Sequence, residues 1–232
     1  MKILAFGIHP DDVELGCGGS VILGVRLGHQ VVVADLSEGT SSSNGTPQER
    51  AAEAAEAARI MGVAKRINLR LPDTQIRSES DEHLDAVVRC LRSEKPDLVF
   101  VPNPDDPHPD HESGGRLIER ALYFAGVQGY RSGEEAWRVT HALVYAGRTD
   151  FEPQVVFDVS STHETKITAV LAHRSQFLPE SGTVATPLNS PDFIAVIESR
   201  GRVWGHRIGV RFGEPFKSRR PVALEDFRVF GT

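Results

Sequence analysis

Long hydrophobic runs, cysteine pairs and surplus positive charge are all in short supply in these 232 residues. The opening, MKILAFGIHPDD, carries one lysine and an apolar stretch of only six residues before acidic groups intervene. That is too short for a secretory leader or a membrane helix, so a cytoplasmic protein with no membrane partner is expected. Two cysteines, Cys17 and Cys90, supply no disulfide framework and suit a reducing compartment. Lys and Arg number 26 against 32 Asp and Glu, a net charge of −6. The clustered basic surface of a nucleic-acid binder is therefore not expected. Repeats and low-complexity linkers are missing too, so residues 1–232 read as a single domain.

What is present alternates between short apolar runs and amphipathic stretches. KILAFGI (2–8), QVVVADL (30–36), RINLRL (66–71) and DLVFVPN (97–103) are continuous and rich in β-formers, the pattern of strands buried on both faces. Helices are predicted between them over 15–28, 47–62 and 79–95. The second is punctuated at both ends: Thr46 as N-cap, Pro47 at the first helical position, Glu49 at the third, and Gly62 as the stop. This β–α alternation implies parallel strands joined by right-handed crossovers, hence an α/β sandwich. Beyond it come a helix over 111–126, strands over 141–147 and 154–159, and helices over 161–177 and 190–205. The segment 214–227, EPFKSRRPVALEDF, is broken by prolines and is expected to wrap the outside.

In an open parallel sheet, ligands gather beyond the carboxyl ends of the strands. Two clusters fall there. AFGIHPDDVELGCGGS (5–20) places His9, Asp11 and Asp12 directly after the first strand, and PNPDDPHPDHESGG (102–115) places His108, Asp110 and His111 after the fourth. The glycines of the first cluster do not have dinucleotide-loop spacing, and two aspartates at a helix N-terminus would repel a pyrophosphate but attract a cation. His9, Asp12 and His111 together offer two imidazoles and one carboxylate, a donor set that holds zinc or another first-row divalent ion such as Fe2+ and leaves a position for water. Asp11 is then free to act as general base. His108 can steady an oxyanion or protonate a leaving amine, with Asp110 orienting it. Taken singly, Asp12 and His111 read better as helix caps than as ligands; the joint placement of the two clusters favours a metal centre. His141, His163, His173 and His206 have no acidic partner at ligand spacing and read as packing or surface residues.

These clusters resemble the LmbE/PIG-L family of zinc-dependent N-acetylglucosamine deacetylases, whose A-H-P-D-D motif stands here as IHPDD and whose H-P-D-H motif stands intact at 108–111. DLSEGTSSSNGTPQERAAEAAEAARIMGV, RINLRLPDTQI, HRSQF and TPL extend the likeness, which is greatest to the branch that deacetylates GlcNAc-malate in bacillithiol biosynthesis. The resemblance implies a Rossmann-like three-layer sandwich with a mostly parallel central sheet and an elaborated C-terminal part. It implies zinc on His9, Asp12 and His111, Asp11 as base, His108 and Asp110 at the oxyanion, and a homohexamer acting on a small-molecule GlcNAc conjugate. It places Arg50 toward the sugar, although on sequence grounds alone a helix-surface charge is the favoured reading. The SSSNG loop, with Ser43 and Asn44, would line the same crevice. Pro107 replaces an arginine common in relatives. Asp106 and Phe193 stand at candidate positions for a tyrosine near the metal, so a phenol-assisted step does not carry over. The rival readings are a metal-dependent phosphoesterase and a catalytically silent sugar-binding module.

Overall fold

The computed structural model describes residues 1–130, 133–178 and 182–223. Seven strands, β1 (Lys2–Gly7), β2 (Gln30–Asp35), β3 (Lys65–Asn68), β4 (Leu98–Pro102), β5 (His141–Tyr145), β6 (Val155–Asp158) and β7 (Gly213–Ser218), form one sheet in the order β3-β2-β1-β4-β5-β7-β6. The first five are mutually parallel, while β7 runs antiparallel to both β5 and β6. The helices are α1 (Asp12–Arg26), α2 (Pro47–Met61), α3 (Asp81–Glu94), α4 (Pro109–Ala125), α5 (His163–Ala172), α6 (Arg174–Phe177) and α7 (Phe193–Arg207). Among the described residues no helix is long and apolar enough to cross a membrane.

Three layers follow from the alternation along each strand. In β1 and its extension, Leu4, Phe6 and Ile8 pack with Leu84, Val87 and Leu91 of α3 and Leu117 and Ile118 of α4. Ile3 and Ala5 face the other way, toward Val13, Val21 and Ile22 of α1, Met61 of α2 and Ala169 of α5. Each large side chain fully buried in this way contributes about 1.5–3 kcal/mol. The predicted punctuation of α2 is present in full. The Thr46 hydroxyl accepts from Glu49 N, the Glu49 carboxylate accepts from Thr46 N at 2.7 Å, and Gly62 ends the helix at φ 72°.

The expectation for 214–227 needs correction over its first part. Residues 213–218 do not wrap the outside; they form β7, inserted between β5 and β6. Pro215 is tolerated because it pairs with Val156 of β6 at a level that the β5 pairing, which begins at Phe216, does not reach. Residues 224–227 lie outside the described residues. The helix predicted over 161–177 is divided at His173 (φ −79°, ψ 61°) into α5 and α6.

Candidate metal centre

The direction of chain winding reverses between β1 and β4, so the crevice beyond their carboxyl ends is the natural ligand site. His9, Asp11 and Asp12 follow β1, Asp73 follows β3, and the 103–108 loop with the first turn of α4 follows β4. The β1 turn is tight. Asp11 has φ 119°, a conformation that costs a non-glycine residue about 1–3 kcal/mol. Asp12 holds the turn, its Oδ2 accepting from Ile8 N (3.0 Å) and His9 N (2.9 Å). Arg50 braces it from α2, donating to Pro10 O (3.0 Å) and Gly39 O (2.6 Å) and lying 3.6 Å from Asp11 Oδ2. Glycine is required at 39, where φ is +66° and a Cβ would overlap the Arg50 guanidinium. Arg50 is thus a buried brace of the turn, not a helix-surface charge.

His9, Asp12 and His111 offer one donor atom each, all within 4.8 Å of one another. His9 Nδ1 and His111 Nε2 lie 3.9 and 3.4 Å from Asp12 Oδ2. The remaining nitrogen of each ring faces a carboxylate: His9 Nε2 is 3.1 Å from Asp73 Oδ1, and His111 Nδ1 is 3.5 Å from Asp106 Oδ1. Outer carboxylates of this kind orient metal-ligating imidazoles, so the residues present fit a divalent ion. His9, Asp73 and Asp110 also cluster within 4.8 Å. There the two acids are engaged by backbone amides of Ser41 and Thr74, which marks them as supports for His9.

Negative charge dominates the centre. Burial alone would lower the His9 pKa, but Asp110, Asp73, Asp12 and Asp11 outweigh it and raise it to about 10. A cation would satisfy the same surplus. Burial and the neighbouring Asp12 push Asp11 up to about 6, against the opposing pull of Arg50 and His173. Burial and the positive charges around it lower His108. His108 also caps α4, its Nδ1 accepting from Asp110 N at 3.2 Å, which leaves Nε2 to carry the proton of the neutral ring.

A cavity of about 610 Å³ opens on this centre and is lined by His9, Asp11, Asp12, His108, His111, Arg50 and Ser43 among others. Two expected residues stand elsewhere. Asn44 turns away, donating to Val184 O (2.9 Å) and accepting from Val184 N (2.7 Å). The Asp110 carboxylate serves Thr74 N (2.7 Å) and lies 3.5 Å from His9 Nε2, so its side chain supports His9 and only its backbone N–H meets His108. Cys17 is buried in α1 and belongs to neither donor cluster. Tyr145 lines the cavity, but its hydroxyl is committed to Phe6 O at 2.8 Å.

Several contributors escaped the reading by spacing. Asp73 lies in LPDTQI, after a strand at the same sheet edge, a position that could have flagged it. His173 is no generic packing residue: fully buried, it meets Glu14 at 3.2 Å, and Glu14 in turn meets Arg66, which grips Asp35 at 2.7 and 3.0 Å. Nothing in local spacing announces that chain.

Fold and centre together define a class: an open α/β domain with a three-donor set that fits a divalent ion at its switch point. Comparison with known proteins narrows this. The chain belongs to the GlcNAc-PI de-N-acetylase (PIG-L) family, whose profile matches residues 4–122, just over half of its length. By family it is an N-deacetylase. It is 32% identical over 225 residues to diacetylchitobiose deacetylase of Thermococcus kodakarensis, covering 91% of this chain and 82% of the relative. It is 28% identical over 182 residues to a probable N-acetyl-alpha-D-glucosaminyl L-malate deacetylase 2 of Bacillus subtilis, covering 72% and 80%. Among solved structures, a conserved protein of Thermus thermophilus superposes with a TM-score of 0.88 at 35% identity, covering 97% of each chain.

Proposed function

We propose that this deacetylase removes the acetyl group from an N-acetylglucosamine conjugate, with GlcNAc-malate as its substrate. The observation that carries the reading is the convergence of His9, Asp12 and His111 with Asp11 and His108 at one end of a single cavity. A zinc ion, or Fe2+ in its place, held by His9, Asp12 and His111, would supply Lewis acidity toward a water and the amide carbonyl. The remaining steps belong to the chain. Asp11, with a pKa lifted toward neutrality, accepts the proton of the attacking water more readily than an ordinary carboxylate would. His108, neutral and with its proton on Nε2, donates to the carbonyl oxygen as charge develops there. Protonated Asp11 then returns its proton to the amine nitrogen as the C–N bond breaks, giving acetate and a free amino sugar. Arg50 keeps Asp11 in place, and Ser43 contributes to the sugar-facing wall.

The phosphoesterase reading is less well supported, because the three-donor set falls short of a two-metal site. Two free, buried cysteines suit a cytoplasmic setting, and we propose a homohexamer, which the resemblance to the GlcNAc-malate branch implies. Acetate release from GlcNAc-malate by metal-stripped protein, before and after one equivalent of zinc, tests the function. Zinc-dependent acetate is expected, with no phosphate released from p-nitrophenyl phosphate. The opposite pattern would sink the proposal.

A further inference from the structure

The cavity is larger than the centre alone requires, and about 610 Å³ lies within the range that takes a drug-sized ligand. Its cations reveal what else it is built to hold. Arg50 lies against Asp11 at 3.6 Å, Lys166 against Glu214 at 2.6 Å, and Arg200 against Asp150 at 3.1 Å. Arg148 also lines the cavity, yet among the described residues its guanidinium has no carboxylate partner.

The backbone that carries it is fixed. Arg148 N donates to Asp106 Oδ2 at 2.8 Å, while the other oxygen of that carboxylate accepts from His108 N at 3.0 Å and faces His111 Nδ1. Thr149 Oγ1 donates to Asp105 O at 3.0 Å, and Arg200 clamps Gly147 O at 2.5 Å. One carboxylate therefore sets the position of Arg148 relative to the reactive centre, near enough for its charge to help hold His108 neutral. One turn before Arg200 on α7, Val196 and Ile197 line the cavity with apolar surface and offer no hydrogen bond. A short carbon skeleton ending in an anion suits this corner better than a neutral polyol, and a guanidinium binds a carboxylate with two parallel hydrogen bonds.

We infer that Arg148 is the specificity residue for a carboxylate on the aglycone, so that the enzyme selects anionic over neutral N-acetylglucosaminides. This rests on the deacetylase reading above and names its substrate class. The test compares wild type, Arg148→Gln and Arg148→Lys on GlcNAc-malate and on methyl N-acetylglucosaminide. Both kcat/KM and the calorimetric Kd are measured, at low and high salt. Loss of one charge-assisted contact should lower the anionic-to-neutral ratio about tenfold to a hundredfold in Arg148→Gln, chiefly through KM. Arg148→Lys should fall between, and salt should erode the wild-type ratio. An unchanged ratio, whether neither substrate or both lose equally, overturns the inference. Should wild type release acetate from neither compound, the functional reading fails. The calorimetric ratio would still decide whether Arg148 holds the carboxylate.

Discussion

At one end of the cavity, His9, Asp11, Asp12, His108 and His111 come from two stretches of four residues each, both set at strand ends. At the other, Lys166 and Glu214 come from α5 and β7, a pair that spans 48 residues. The first end is local geometry: a strand stops, the chain turns, and the side chains are delivered together. The second is tertiary. The backbone of α1 leaves helical geometry at Cys17, and the Glu214 carboxylate receives the amides exposed beyond the break, Gly19 N at 2.9 Å and Ser20 N at 2.7 Å, with Lys166 as counter-ion. The candidate centre thus sits on a strained turn, whereas the far end holds α1 in shape through a buried charge pair.

Substitutions at the two ends should therefore fail in different ways. The largest effect is expected from Asp11→Asn, which should lower kcat about 10²–10⁴-fold while the metal remains bound. Its stability at pH 8 should equal or exceed that of wild type, because burial and Asp12 make the charged Asp11 unfavourable in the fold. Thermal unfolding and metal content, measured beside acetate release, would break the comparison if stability fell with activity. Glu214→Ala should do the reverse. It leaves Lys166 buried without its partner and two α1 amides unsatisfied, a loss of about 3–5 kcal/mol, or roughly 6–20 °C in Tm. A variant that melts with wild type would mean the far end is no more than cavity lining.

The same contrast explains what could be read in advance. The four parallel strands before residue 103 and the α2 caps were legible because burial and capping leave local patterns. His9, Asp12 and His111 were legible as a group because parallel topology sends every βα loop to one edge. β7 was not: Pro215 argues against a strand unless the partner at that level is known. Arg50 was ambiguous, since α2 alone cannot say that its Arg50 face closes over the β1 turn. Asp110 was assigned to the nearer histidine in sequence, while the fold brings its carboxylate to His9, about a hundred residues away. In each case the missing information was a partner from a distant element.

The smallest expected effect sharpens the comparison, because His173 ties the α5–α6 break to the start of α1, beside Asp11. It sits at the α5–α6 break, fully buried, with Nε2 3.2 Å from Glu14 on α1. Burial alone would depress its pKa, but the Glu14 charge and hydrogen bond, with Asp11 beyond, raise it above its ordinary 6.5. The folded state therefore holds this proton more tightly than the unfolded chain does. The resulting stabilisation is complete below pH 6.5 and is lost as pH rises through the folded-state pKa. His173→Gln removes that dependence. In urea unfolding from about pH 6 to about pH 9, the advantage of wild type over His173→Gln should shrink as pH rises. A constant advantage would mean that His173 stays neutral and that Glu14 is balanced by Arg66 alone, so α1 would be held at its start and at its kink by two independent charge pairs.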